Sequence, residues 1–291
     1  MDKIITTFKQ LYEACESENK AIYEIALDNE ASQGENSEHK VRLQAKKSLD
    51  AMKEAIKIGL TSTEKSPSGM SGDDCDKLQK TKSSSLLGDT AEKMMVYALA
   101  TSEQNLRMGT IVACPTAGSC GIVPSVLVAY AEDNNIKECD QINALITAGE
   151  IGRLVSIKMA LAGAVGGCQA ECGVASAMAT GALTQMRGGS VKQIINAVAL
   201  SLKNILGLTC DPVCGLVEIP CVKRNPFLAI HAVTASDLAM ADIVSVIPID
   251  EVVDAMEQTG QLMSPLLKES SQGGLAKTKT AVALEKKILG K

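Results

Sequence analysis

The chain has no tryptophan and few other rings, only four Tyr and two Phe in 291 residues. A core so poor in rings is built from Ala, Gly, Val, Ile, Leu and Met, which favours helices packed closely through small residues and excludes large aromatic pockets. Histidine is as scarce: His39 and His231 are the two present, so an imidazole acid or base has two places to be. Basic charge is in deficit, with 29 Lys and Arg against 34 Asp and Glu and a net charge of −5. No Lys/Arg stripe is interleaved with aromatics, which argues against nucleic acid as a partner. The first twenty residues, MDKIITTFKQLYEACESENK, carry charge throughout and hold no apolar run of the kind a secretory signal needs, so a cytoplasmic protein is expected. The longest uncharged stretch, Met108 to Ala131, contains Pro115, Gly118, Gly121 and Pro124, and reads as buried protein and not as a membrane span. No C-x-x-C pair occurs, which removes the usual zinc-ribbon, thioredoxin-like and ferredoxin-like readings.

What is present is a globular composition, 46% hydrophobic and 22% charged, on a chain long enough for a sizeable core. Apolar residues recur at helical spacing: Ile5, Phe8, Leu11 and Tyr12, then Val41, Leu43, Leu49, Met52 and Ile56, with Gly34 and Asn36 between the two runs. Residues 1–60 are therefore expected to form a helical outer layer. Ser, Gly, Pro and Asp dominate 61–88, a long loop of the kind that is either linker or functional. Further helices are predicted over 90–107, 121–133, 141–164, 173–187 and 190–206. A Cys/Pro/Gly-rich loop follows over 207–226, then helices over 227–243, 249–262 and 280–289. No alternating β-branched run marks a strand, and no repeat or domain boundary is visible. The expectation is one all-α domain over 1–291, with Met159 to Leu183, rich in Ala, Gly and Ser on every face, at its centre and 108–226 forming the core around the cysteines.

Five of the ten cysteines gather in two places, Cys168 and Cys172 in GGCQAECG and Cys210, Cys214 and Cys221 in LTCDPVCGLVEIPCVKRN. In a reducing compartment they are thiols or metal ligands. Read from spacing alone, a metal site and a set of buried small hydrophobes stay open. Gly166, Gly167, Gly173 and Gly215 would let the backbone approach a bulky cluster whose sulfurs accept N–H hydrogen bonds. Cys210, and Cys221 after Pro220, are expected outside regular helix. Elsewhere, Ser66, Ser68, Gly69 and Ser71 in SPSGMSG offer hydroxyl and backbone N–H donors suited to a carboxylate, or form a plain Ser/Gly turn. Thr116, Gly118 and Ser119 lie where a helix starting near Gly121 would point its N-terminal amides, as an anion site or only as a cap. Arg224 and Asn225 are placed to orient a carboxylate or the cysteine loop itself.

The segments SPSGMSG, PTAGSCGIVP, GAVGGCQAECG and CDPVCGLVEIPCVKRN together closely resemble the α chain of bacterial iron-sulfur-dependent L-serine dehydratase, over about residues 60–276. The resemblance includes 42 residues from Cys168 to Cys210 and 11 from there to Cys221. It implies that Cys168, Cys210 and Cys221 hold a 4Fe-4S cluster, with Cys172 and Cys214 as close non-ligands, and that one iron lacks a protein ligand and acts as a Lewis acid. The implied reaction is dehydration and deamination of L-serine to pyruvate and ammonia. It would proceed without pyridoxal phosphate, be oxygen-sensitive and serve amino-acid catabolism and gluconeogenesis. The serine-rich loop then becomes substrate-binding, although Asp73, Asp74 and Cys75 depart from the family pattern after Gly72. No general base is identified. His39 reads as a solvated residue at a helix start and His231 as a packed core histidine, so His231 is a weak candidate. The family's β region, fused or on a separate subunit, is the expected source, which makes an αβ heterodimer or larger assembly the expected form. Two alternatives remain: desulfidation of L-cysteine by the same chemistry, and a non-catalytic iron-sulfur sensor.

Overall fold

The structure, a computed structural model, describes residues 4–32, 37–81 and 85–290. Gly34, Asn36 and residues 82–84 of the serine-rich stretch lie outside them. The described residues form thirteen α-helices and no strand, apart from a single parallel bridge between Cys210 and Lys268. The all-α expectation is borne out.

Three helices, α1 (Phe8–Glu18), α2 (Ile22–Ser32) and α3 (Glu38–Thr61), come first. Side-chain caps start α1 and α3: Thr7 accepts from Gln10 N and Ser37 from Lys40 N, each satisfying an amide with no partner inside its helix. Then come α4 (Asp74–Lys80), α5 (Asp89–Leu106), α6 (Ile122–Asp133), α7 (Glu138–Lys158) and the single turn α8 (Gly163–Gly166). The series ends with α9 (Val174–Met186), α10 (Val191–Lys203), α11 (Cys221–Met240), α12 (Ile249–Leu262) and α13 (Lys279–Leu289).

Helix α9 is the axis of the molecule. Residues 174–184 are all buried, and α6, α7, α10 and α11 pack around them. Small side chains make this possible. A Cβ on Gly181 would strike Ile151 of α7, and one on Gly59 of α3 would stand 2.6 Å from the backbone carbonyl carbon of Ala100 on α5. The buried hydroxyls of α9 are satisfied within this packing: Ser176 donates to Leu228 O at 2.9 Å, and Thr184 to Thr180 O at 2.8 Å. One contiguous core runs from Phe8 to Met256, joining the outer helices to the centre.

Three sequence expectations are corrected. The 61–88 stretch is not all loop, because α4 forms within it; Glu103 of α5 accepts from Asp74 N at 2.7 Å and Cys75 N at 3.3 Å, capping a helix too short to persist alone. The helix expected over 141–164 ends at Lys158, and Met159 turns to extended backbone. The chain breaks there so that Gly163 can come against Cys210 and Glu171. The helix expected from 227 starts six residues earlier, at Cys221, which therefore sits on a helical first turn and not in irregular loop; Pro226 is accommodated inside α11. Among the described residues no helix is long and apolar enough to cross a membrane.

Candidate functional site

Three chain segments bring Cys168, Cys210 and Cys221 together. Cys168 precedes a single π turn, Gln169–Gly173, that leads into α9; such turns add one residue to a helical stretch and re-aim the side chains that follow. Cys210 is fixed through its backbone, donating to Leu267 O at 2.9 Å and accepting from Glu269 N at 2.7 Å, so that residues 264–277 form a strap over the cysteine loop. Cys221 opens α11. All three are buried, at 1%, 3% and 7% exposure, and unlinked by disulfide.

Their environments differ. A hydrogen bond with Cys172, aided by the Arg224 charge, pulls the Cys168 thiol below its ordinary value, while its partner Cys172 is driven well up. Burial pushes Cys221 up to about 12, and Cys210 is raised by burial and by the charges of Cys168, Glu269 and Cys221. Three buried thiols that feel one another's charge are a soft donor set of the kind that suits iron-sulfur clusters. Among the described residues, no three His, Cys, Asp or Glu side chains converge tightly enough for a single ion. The donor chemistry suits an iron-sulfur cluster, and glycines line the space beside it.

That space is shaped around Glu171, on the π turn. A Cβ on Gly163 would stand 2.8 Å from Glu171 Oε2 and 2.9 Å from Cys210 Sγ, and one on Gly118 would strike Glu171 Oε1. Glycine at both positions leaves room for the carboxylate. Thr116 Oγ1 donates a hydrogen bond to Oε1 and lies 3.1 Å from Ser119 Oγ. Burial holds the Glu171 carboxyl above its ordinary range, against the lowering influence of Thr116. Thr116 and Gly118 are thus brought to the cysteines. Ser119 is wholly buried and donates to Cys114 O and Thr116 O, which places it in the loop's own framework.

Arg224 and Asn225 serve the loops. The Arg224 fork donates to Thr209 O at 2.8 Å and Asp211 Oδ1 at 3.0 Å, and Asp211 also accepts from Leu275 N at 2.8 Å in the strap. This buried ion pair ties the segment of Cys210 to the helix of Cys221. Asn225, fully buried, accepts from Gly121 N and donates to Gly118 O and Cys221 O, all at 2.9 Å, so the start of α6 is engaged by a side chain.

The serine-rich turn is linked to the cysteine loop through Ser66. Ser66 Oγ donates to Glu218 Oε2 at 2.7 Å, a buried bond to the cysteine loop, and lies 3.1 Å from Ser68 Oγ. Gly69, with φ +75, closes the turn by donating to Ser66 O at 2.9 Å. The Ser71 hydroxyl is buried with no hydrogen-bond partner among the described residues. The whole turn is clamped by Arg107, which donates to the carbonyls of Ser62, Glu64 and Gly72 and pairs with Glu103 at 3.1 Å.

The two histidines stand elsewhere. His39 is exposed on the first turn of α3, and His231 Nε2 lies 2.9 Å from Ser201 O of α10. Sequence reading missed Glu171, Glu218, Asp211 and the Glu103–Arg107 pair. Glu171 carried a signal, as the one acid between two cysteines of a glycine-flanked motif; the other residues reach the site through distant contacts that no local pattern marks.

Residues 17–276 match the family described as serine dehydratase alpha chain. The chain is 44% identical over 288 residues to the probable L-serine dehydratase alpha chain of Bacillus subtilis, covering 97% of this chain and 94% of that one. It is 38% identical over 288 residues to the L-serine dehydratase alpha chain of Peptoniphilus asaccharolyticus, covering 98% and 99%. The L-serine dehydratase TdcG of Escherichia coli is 42% identical over 183 residues, 62% of this chain but only 40% of that longer protein.

Proposed function

The chain belongs to the serine dehydratase alpha chain family, and from that premise we propose that it is an L-serine ammonia-lyase subunit converting L-serine to pyruvate and ammonia. The observation that carries this reading is that three buried thiols, Cys168, Cys210 and Cys221, lie within electrostatic reach of one another and of Glu171.

In this reading the three cysteines hold a 4Fe-4S cluster. Bound there, it would supply a Lewis-acidic iron free of protein thiolate, which favours departure of a β-hydroxyl. The protein's own contribution is placement. The turn Ser66 to Ser71, locked by Arg107 and by the Ser66–Glu218 bond, presents the Ser68 and Ser71 hydroxyls to the substrate carboxylate. Thr116 and Gly118 border the Glu171 carboxylate. Arg224, engaged with Asp211, keeps the two ligand segments in register, and Asn225 pins the 117–121 turn to α11. The α-proton is accepted by a group on a second chain, a reading supported by the words alpha chain in the relatives' names and by the much greater length of the Escherichia coli relative. Elimination gives 2-aminoacrylate, which tautomerises and hydrolyses without further help from the protein.

The test is strictly anaerobic. L-Serine added to the reconstituted protein should change the visible absorption of its cluster, and with the second chain present should release pyruvate. L-Cysteine run in parallel distinguishes dehydration from desulfidation, and a spectrum unmoved by either amino acid would point to a spectator cluster.

A further inference from the structure

An α-amino acid brings a cation as well as an anion, and the serine-rich turn and the cysteines account only for the anion and the β-hydroxyl. We propose that Glu171 receives the substrate's α-ammonium group and thereby selects amino acids over hydroxy acids; this deepens the serine dehydratase reading and rests on it.

Four observations converge. Glu171 projects from the π turn between Cys168 and Cys172, beside the thiol that would carry the cluster. Its carboxylate occupies space kept open by two glycines from different segments: a Cβ on Gly118 would strike Oε1, and one on Gly163 would come 2.8 Å from Oε2. Thr116 Oγ1 fixes Oε1 by a hydrogen bond, whereas Oε2 accepts none among the described residues and stands on the Cys210 side. An oxygen held in place with an open lone pair is a ready acceptor for an ammonium N–H. The surroundings also favour a cation. Glu269 acts on Glu171 as a like charge, and Arg224, the nearby cation, is already paired with Asp211 at 3.0 Å.

The geometry distinguishes this role from the fixed ion pairs of the loops. Glu103 and Glu150 each have an arginine partner within the chain, at 3.1 and 2.7 Å, but Glu171 forms no ion pair among the described residues. A partly buried carboxylate left without a cationic partner carries a desolvation cost, and an incoming ammonium offsets it.

The test uses the assembled, anaerobic enzyme and compares L-serine with L-glycerate, in which a hydroxyl replaces the ammonium. Glu171→Gln keeps the acceptor for Thr116 but removes the charge. It should raise KM for L-serine about 10- to 100-fold, the range for a lost hydrogen bond to a charged group, with a smaller fall in kcat. L-Glycerate should inhibit the variant as well as or better than the wild type, and iron and sulfide content should be unchanged. Thr116→Val, which frees the carboxylate without removing it, should give a smaller KM increase in the same direction and serves if the first variant does not fold. An unchanged ratio of serine to glycerate affinity in either folded variant would overturn the assignment of Glu171 while leaving the lyase reading intact. A wild type that neither binds nor converts L-serine would remove both.

Discussion

The same substitution should have opposite signs at two glycines of the helical framework. Gly149 lies in the interior of α7 and Gly59 in the last turn of α3, helical positions where Ala is favoured over Gly by up to about 1 kcal/mol. At Gly149 an added Cβ meets nothing within 4 Å, so Gly149→Ala should stabilise by up to about 1 kcal/mol. At Gly59 the new atom would lie 2.6 Å from the Ala100 carbonyl carbon and 2.9 Å from its Cα, with the carbonyl oxygen nearer still. These are backbone atoms of a neighbouring helix and cannot rotate away. The helices must separate, at the upper end of the roughly 1–3 kcal/mol typical of overpacked cores. The clash therefore exceeds the propensity gain, and Gly59→Ala should destabilise by about 2 kcal/mol net. Urea unfolding followed by helical circular dichroism reads both variants. The two midpoints should fall on opposite sides of the wild type's. A Gly59→Ala protein as stable as wild type would mean that α3 and α5 do not cross at Ala100.

Three further outcomes follow from the site. Burial raises the Glu171 carboxyl, so the folded chain holds that proton more tightly than the unfolded one; the stability this gives is present below the unfolded pKa and lost as pH rises through the folded pKa. Glu171→Gln should therefore raise the melting temperature of the cluster-free protein more at pH 8 than at pH 5, and an equal effect at both would contradict the charge-burial argument. Arg107→Ala removes the partner of a wholly buried Glu103 and three carbonyl contacts, which should cost about 3 kcal/mol or more. Arg107→Lys, which keeps the charge without the fork, should still speed amide exchange over 62–73, and protection equal to wild type would refute the clamp. Asp211→Ala removes the carboxylate that accepts from Leu275 N and from one arm of the Arg224 fork, so limited proteolysis should cut the 264–277 strap faster than in the wild type; an unchanged cleavage rate would show that the strap is held by other contacts.

Much of the framework was legible because strong helical periodicity is local. Helix α12 occupies 249–262 as read, its buried face drawn by Ile249, Val252, Val253, Met256 and Gly260, and α5 runs one residue ahead of its expected bounds. What escaped is tertiary in origin. Helix α4 depends on a cap from Glu103, 29 residues away, and nothing in its own Asp-rich sequence announces that partner. The break after Lys158 lies in a stretch of Ala and Gly that is compatible with helix, and only the approach of Gly163 to Cys210 explains it. At the site, the cysteines were visible through their motifs. The Ser66–Glu218 bond spans 152 residues, beyond the reach of any spacing rule, and Glu171 became prominent only when two distant glycines were seen to make room for it.

The claim that three cysteines hold a 4Fe-4S cluster is tested most directly by counting iron and acid-labile sulfide in strictly anaerobic protein, wild type beside single Ser variants of five cysteines. The wild type should carry about four of each per chain. Cys168→Ser, Cys210→Ser and Cys221→Ser should lose most of this complement, whereas Cys172→Ser and Cys214→Ser should retain it. A wild type without sulfide that still converts L-serine, or a Cys210→Ser protein with its full complement, would contradict the account.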